Sequence, residues 1–350
     1  MRFFSFIGLC LLPVLASAAT LSDYQIIGSH NSYKRALPLS LLAQLQADSP
    51  RLAQQINYHH PALADQLSLG LRQLEIDVVN DPEGNQYDQP QMAERLSEQW
   101  LTAAERHALA QPGFKVLHIP HVDVLSHCVL FKECLSQLKN WSDSHPDHFP
   151  VMVMLNAKEN QPAFISRPDP APFTTQTYQS LDEEIRSVMQ SKLVTPDDIR
   201  GEFNQLSEAV RRCGWPAIES LRGKFIFLFD ANANQRALYA NGHPSLRGRS
   251  MFASYPPESD EAAIMVRNDP TTGFTQIRQL IQQGFLVRTR ADADFRATPA
   301  QMQEQFAHAQ RSGAQFISTD FYPGSPQSLQ TGHIVRFADG ALVRANPSTH

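Results

Sequence analysis

Ile26-Ile27-Gly28-Ser29-His30-Asn31-Ser32 runs from apolar and small residues straight into a histidine and an asparagine. A buried parallel strand whose last side chains face a site reads this way. Leu71-Arg72-Gln73-Leu74-Glu75-Ile76-Asp77 repeats the pattern with two acids, and Lys115-Val116-Leu117-His118 repeats it with a second histidine. Three successive strands, each ending in a ligand or an acid/base group, are expected to meet at one mouth. There they would seat a metal ion between two histidines.

Outward from these stretches, short apolar runs alternate with helical patterns. Strands are expected at 24–28, 73–79, 115–119, 149–155, 224–230, 286–289 and 316–319, with a further one at either 251–255 or 263–267. Helical spacing covers 39–47, 63–69, 91–110, 133–144, 178–192, 277–283 and 299–312. About eight strands alternating with helices indicate α/β architecture, and at this length a single-domain (β/α)8 TIM-like barrel fits better than an open sheet. No glycine-rich phosphate loop follows any strand, which argues against a dinucleotide-binding fold. The loop at 161–173 carries four prolines and is placed to fold over the mouth. Residues 331–350 read as a surface tail with a hairpin of 334–337 against 341–344. The barrel itself is expected to span 19–330.

The first 18 residues read as a secretory leader: Arg2, a short apolar run, then Ala16-Ser17-Ala18. Export places the protein outside the cell or in a periplasm. Formal net charge is −5, and loss of Arg2 with the leader makes it one unit more negative. That balance excludes a nucleic-acid binder, which needs a basic footprint. No later apolar run approaches the roughly 18 residues of a membrane span, so none is expected in the mature chain. Three cysteines follow the leader. Cys128 and Cys134 enclose a short loop and are the expected disulfide in an exported chain, leaving Cys213 as a free, buried thiol. No C-x-x-C pair marks a zinc site.

Glu75 and Asp77 are two apart in a strand, so both face one side. Two carboxylates buried together repel, and a hard cation relieves that cost. Calcium takes carboxylate and amide oxygens, and Asn31 can add one. Ion pairs to Arg72 or Arg290 are the alternative. His30 and His118, on two such strand ends, could remove a proton from an attacking hydroxyl and protonate a leaving oxygen. His121 competes with His118 for the second role.

Ser29-His30-Asn31-Ser32-Tyr33, Leu74-Glu75-Ile76-Asp77, Lys115-Val116-Leu117-His118-Ile119 and Asn156-Ala157-Lys158-Glu159 recur in order along the chain. Gly242-His243-Pro244-Ser245-Leu246-Arg247-Gly248, the run Leu286 to Asp294 and Gly313-Ala314-Gln315-Phe316-Ile317-Ser318-Thr319-Asp320 complete the set. Together they resemble the calcium-dependent phosphatidylinositol-specific phospholipase C family, within the wider PLC-like phosphodiesterases. The resemblance implies a TIM-barrel phosphodiesterase acting on phospholipid at a membrane surface. It implies His30 and His118 as the catalytic pair and Asn31, Glu75 and Asp77 as Ca2+ ligands. Where a glutamate often completes that set, this chain has Asn156, an uncharged donor, unless Glu159 reaches in. Lys158 resembles a lysine near the phosphate, and a solvated strand-end lysine is the alternative. Arg288, Arg290 and Asp320 sit at later strand ends, where they would contact inositol hydroxyls or phosphate. An Arg290 paired with Asp292 or Asp294 is the alternative there. Tyr33, Phe173 and Tyr322 are the candidates to meet a membrane. The rival readings are a metal-dependent glycerophosphodiester phosphodiesterase, whose family carries His-Arg where this chain has His30-Asn31, and a non-catalytic lipid or glycan binder.

Overall fold

The structure, a computed structural model, describes residues 18–292 and 297–348. The expected leader, apart from Ala18, lies outside the described residues, as does Asp294. The strands in chain order are β1 (Tyr24–Ser29), β2 (Gln73–Asp81), β3 (Gly113–Val116), β4 (Val151–Ala157), β5 (Leu193–Val194) and β6 (Phe225–Phe229). They continue with β7 (Phe252–Ala253), β8 (Ile264–Val266), β9 (Leu286–Arg290), β10 (Phe316–Thr319) and β11 (Val343–Ala345). Both stretches proposed for the sixth strand are therefore strands.

Two sheets result. One orders β11-β1-β10-β9-β8, and the other orders β3-β2-β4-β6-β5 with β7 also beside β6. Except where β3 and β11 join, pairing within each sheet is parallel. Phe225-Ile226-Phe227-Leu228-Phe229 is buried at every position, as a parallel strand covered on both faces must be. Helices Phe131–Asp143 and Thr175–Met189 lay Leu135, Leu138, Leu181 and Ile185 on the same core as β2, β4 and β6.

The backbone ladders of the described residues do not run round into a closed ring, so what the structure shows is a mixed α/β fold. Side chains stitch the two seams. A Cβ on Gly28 would fall 2.3 Å from Gln73 Oε1, so only glycine lets β1 approach β2 this closely. Gln73 Nε2 then donates to Ser29 O at 3.3 Å, Ser32 N donates to Glu75 O, and Glu75 N donates to Ser32 Oγ, the last two at 2.8 Å. Across the other seam Val266 N donates to Ser254 Oγ at 3.0 Å.

Several expectations are corrected. The third strand is not a parallel barrel strand. β2 runs on to Asp81, past the acids, and β3 returns antiparallel to it, pairing Asp81 with Gly113 and Val78 with Val116. An apolar run carries no direction in its composition, so the sequence could not tell return from advance. The helix expected over 91–110 is two, Gln91–Arg95 and Ala103–Leu109. Thr102 caps the second: Glu105 N donates to Thr102 Oγ1 at 3.2 Å, and Thr102 N donates to Glu105 Oε2 at 2.8 Å. Cys213 is exposed, not buried, at the last turn of helix Leu206–Cys213. Cys128 and Cys134 are disulfide-bonded. In the tail, Val343–Ala345 pairs antiparallel with Tyr24–Ile26 of β1 instead of with 334–337. No helix among the described residues is long and apolar enough to cross a membrane.

Candidate active site

Leu74, Ile76 and Val78 pack into the main core. Strand alternation therefore turns Gln73, Glu75 and Asp77 to the opposite side, where both acids are buried. Register sets Asp77 beside Asn156 on β4. Asn156 Nδ2 donates to Glu75 Oε1 at 3.0 Å and to Asp77 Oδ1 at 2.9 Å. The outer oxygens hold cations: Arg288 NH2 on Glu75 Oε2 at 2.7 Å and Lys158 Nζ on Asp77 Oδ2 at 3.0 Å. Tyr33 OH also donates to Asp77 Oδ2, at 2.9 Å. Arg72 donates instead to the Leu67 and Leu71 carbonyls. Lys158 is thus an ion-paired lysine, not a freely solvated one.

Two carboxylate oxygens accordingly converge on one amide. Half a turn of the Asn156 amide exchanges its nitrogen for its oxygen. Three hard oxygens then share one point, which only a cation can satisfy, so the donor set fits calcium. Asn31, the next donor along, is buried and sits at φ 45°, a left-handed conformation that asparagine tolerates better than most residues. Glu159 does not join: it accepts from Phe173 N at 2.9 Å and Gln235 Nε2 at 2.7 Å. No group of three or more His, Cys, Asp or Glu among the described residues is arranged to hold a metal. The set here leans on two carboxylates and amides.

His30 follows β1. Its Nδ1 lies 3.3 Å from Asp320 Oδ2, and its Nε2 lies 3.9 Å from Glu75 Oε1. Burial and Arg290 lower the pKa of His30 against the pull of Asp320 and Glu75. His118 arrives from the opposite direction, just beyond the end of β3, yet reaches the same mouth. The Tyr58 ring centroid is 5.5 Å from that of His30 and 6.1 Å from that of His118. His118 Nδ1 lies 2.8 Å from Asp123 Oδ2, which Lys34 Nζ approaches to 2.9 Å. Burial alone would raise Asp123, but Lys34 and His118 overcome it and hold the carboxyl below its usual range. Each histidine therefore has its own buried aspartate on Nδ1, which leaves Nε2 for chemistry.

Arg290 NH2 lies 3.3 Å from Asp292 Oδ1 and 3.4 Å from Asp320 Oδ2. Asp230, at the end of β6, has a carboxyl raised by burial, with Glu75 and Asp77 adding to it. With Asn156, Lys158 and Asn232 it lines a cavity of about 440 Å³. His121 is not the rival to His118: it is buried against Tyr87, ring centroids 5.3 Å apart, and burial drives its pKa down to about 4. Tyr33, Phe173 and Tyr322 are buried as well, so none meets a membrane.

The sequence reading missed Lys34, Tyr58, His60, Asp123 and Asp230. Asp230 closes an apolar run as Asp77 does and carried the same signal. The others lie in loops without periodicity.

The family model for Ca2+-dependent phosphoinositide phospholipase C matches residues 19–347. The chain belongs to that family. It is an enzyme, a phospholipase C and so a phosphoric diester hydrolase. The fold of this phospholipase is similar to a calcium-dependent phosphoinositol-specific phospholipase C from Pseudomonas sp., with TM-score 0.58, 16% identity, and coverage of 93% of this chain and 95% of that one. The myoinositol complex of the Pseudomonas protein gives TM-score 0.58, 16% identity, and 94% and 96% coverage. A Ca2+-dependent phosphatidylinositol-specific enzyme from Streptomyces antibioticus gives TM-score 0.53, 18% identity, and 87% and 96% coverage. No curated protein matches the sequence of this phospholipase.

Proposed function

We propose that this enzyme is exported and cleaves phosphatidylinositol-type lipids between phosphorus and the diacylglycerol oxygen. The inositol 2-hydroxyl attacks phosphorus while His30 Nε2 takes its proton. The bond to the glycerol oxygen breaks, and His118 Nε2 protonates that oxygen as diacylglycerol leaves. The product is a cyclic inositol phosphate, whose ring water then opens with the two histidines exchanging roles.

His30 suits the base: its lowered pKa leaves the ring neutral near pH 7. Glu75, a carboxylate 3.9 Å from His30 Nε2, is less free to act as base, since both its oxygens are engaged by Asn156 and Arg288. His118 suits the acid, because Asp123 Oδ2 at 2.8 Å holds its Nδ1 and leaves Nε2 free to hand over a proton. Lys158, Arg288 and Arg290 offer positive charge to the phosphate, and the cavity at Asp230 has room for a polyol ring. Asn31, Glu75, Asp77 and Asn156 would hold Ca2+, which when bound supplies charge stabilisation at a phosphate oxygen. We read the parallel strands β1, β2, β4 and β6 to β10 as a (β/α)8 barrel laced at two seams by side chains, which puts these residues at the strands' C-terminal ends. The leader and the disulfide fit an oxidising compartment.

One observation carries the reading: two histidines, each tied through Nδ1 to a buried aspartate, flank Tyr58 beside the paired acids. A headgroup panel, with and without a calcium chelator, tests it. Cyclic inositol phosphate formed only without chelator is expected. Glycerol 3-phosphate from glycerophosphodiesters would overturn the lipid assignment in favour of the rival phosphodiesterase.

A further inference from the structure

His60 lies outside every motif that marked the site, yet it touches the carboxylate that orients His30. The His60 side chain is 0% exposed. Its Nε2 stands 3.2 Å from Asp320 Oδ1. Neither atom makes a hydrogen bond of good geometry among the described residues, so their 3.2 Å approach is a close ionic contact. On the far side, His60 Nδ1 lies 3.0 Å from Tyr322 OH, and the two rings stack at 5.7 Å. Burial pushes the Tyr322 phenol far up, so it keeps its proton. A protonated phenol donates to Nδ1, which leaves the imidazole proton on Nε2, facing Asp320.

Asp320 is fully buried and has a charged or ionisable neighbour beside each oxygen. His30 and Arg290 lie on Oδ2, and His60 lies on Oδ1. The Oδ2 contacts alone leave the carboxylate free to turn about its Cβ–Cγ bond, since both sit on one oxygen. Asp292 presses the other way: burial and the Asp320 charge raise its carboxyl to about 7. A buried oxygen with no donor costs about 1–3 kcal/mol, more when charged.

We propose that His60 is a positioning residue for the reaction: it fixes the plane of Asp320, and through Asp320 the tautomer of His30. Tyr322-His60-Asp320-His30 is then one relay that keeps the His30 proton on Nδ1 and its free lone pair on Nε2, toward the substrate. Partners that orient a metal-bound histidine through its second nitrogen typically change affinity or activity about 10–100-fold when removed, and a loss of that order is expected for the same kind of orienting contact here. The inference rests on His30 being the base.

The test compares His60→Leu, His60→Gln and Tyr322→Phe with the parent enzyme. A glutamine places an N–H close to where His60 Nε2 stands, and leucine does not. His60→Leu is expected to lower kcat about 10–100-fold with KM nearly unchanged, and His60→Gln to recover most of that loss. Long-range 1H–15N spectra of histidine-labelled protein should show His30 protonated on Nδ1 in the parent and mixed between tautomers in His60→Leu. Should His60→Leu not fold, Tyr322→Phe gives the same test, with a several-fold loss of kcat expected. Unchanged kcat in His60→Leu, or equal losses in the leucine and glutamine variants with the His30 tautomer intact, would overturn the inference. A His30→Ala enzyme that still turns over removes His30 as base, while the spectra still report whether His60 holds Asp320. An inactive His30→Ala beside a normal His60→Leu defeats the relay alone.

Discussion

Lys34→Met separates the site's charge balance from its packing. The Lys34 and Asp123 side chains are both 0% exposed and 2.9 Å apart. At an effective dielectric near 20 that separation corresponds to about 6 kcal/mol of attraction, before the cost of desolvating both ions. Removing one partner of such a pair typically costs about 3–5 kcal/mol, because the other charge stays buried. Lys34 Nζ also donates to the Ile56 and Tyr58 carbonyls, each at 2.9 Å, and losing those bonds adds to the cost. Methionine keeps most of the volume, so little of the loss is a cavity. The assay is urea unfolding at pH 7 of the parent, Lys34→Met, Asp123→Asn and the double variant. Lys34→Met should lose at least about 3 kcal/mol, and the double variant should lose about 2 kcal/mol less than the sum of the single losses. The sign with pH follows from the depressed Asp123 carboxyl. Its stabilisation is present above the unfolded value, near 3.9, and is lost as pH falls through the lower folded value. Less of it remains without Lys34, so the gap between parent and Lys34→Met should narrow below about pH 4. A Lys34→Met loss under about 1 kcal/mol, or a cycle additive within about 0.5 kcal/mol, refutes the reasoning.

Four further outcomes are expected. His30→Ala and His118→Ala should each lose at least about a hundredfold in kcat on phosphatidylinositol, and near-normal turnover by either variant removes that residue from the mechanism. Asn156→Glu adds a charged oxygen where Asn156 now bridges Glu75 and Asp77, so titration calorimetry should show tighter Ca2+ binding, by about tenfold or more. Unchanged or weaker binding would mean the ion sits elsewhere. Reducing the Cys128–Cys134 bond, which closes a loop of sequence separation 6, should cost about 2 kcal/mol in urea unfolding. His121, lowered to about 4, binds fewer protons folded than unfolded between about pH 4 and 6.5. Stability should therefore rise as pH rises across that window, by on the order of 3 kcal/mol, and His121→Phe should flatten the slope.

The sequence by itself determined the inward acids and the strands that carry them. Period-2 alternation across Gln73 to Asp77 put Glu75 and Asp77 on one side, because a strand has no other choice. Phe316–Thr319 and helix Pro299–Ser312, stopped by Gly313 at φ 83°, were legible with their bounds intact, since a contiguous apolar run and a left-handed cap are local properties. What tertiary structure alone decided is everything that depends on direction or on distant partners. The apolar run before His118 looks the same whether the strand advances or returns, and only its pairing with β2 shows the return. Asp123, Lys34, Tyr58 and His60 lie in loops whose residues answer to no period, and they reach the site because neighbours far along the chain hold them there. Gly28 reads as punctuation until Gln73 is found pressed against it. Alternation and capping act over a few bonds and are written in order along the chain. Ion pairing among buried groups acts through space, and the chain order carries no record of it.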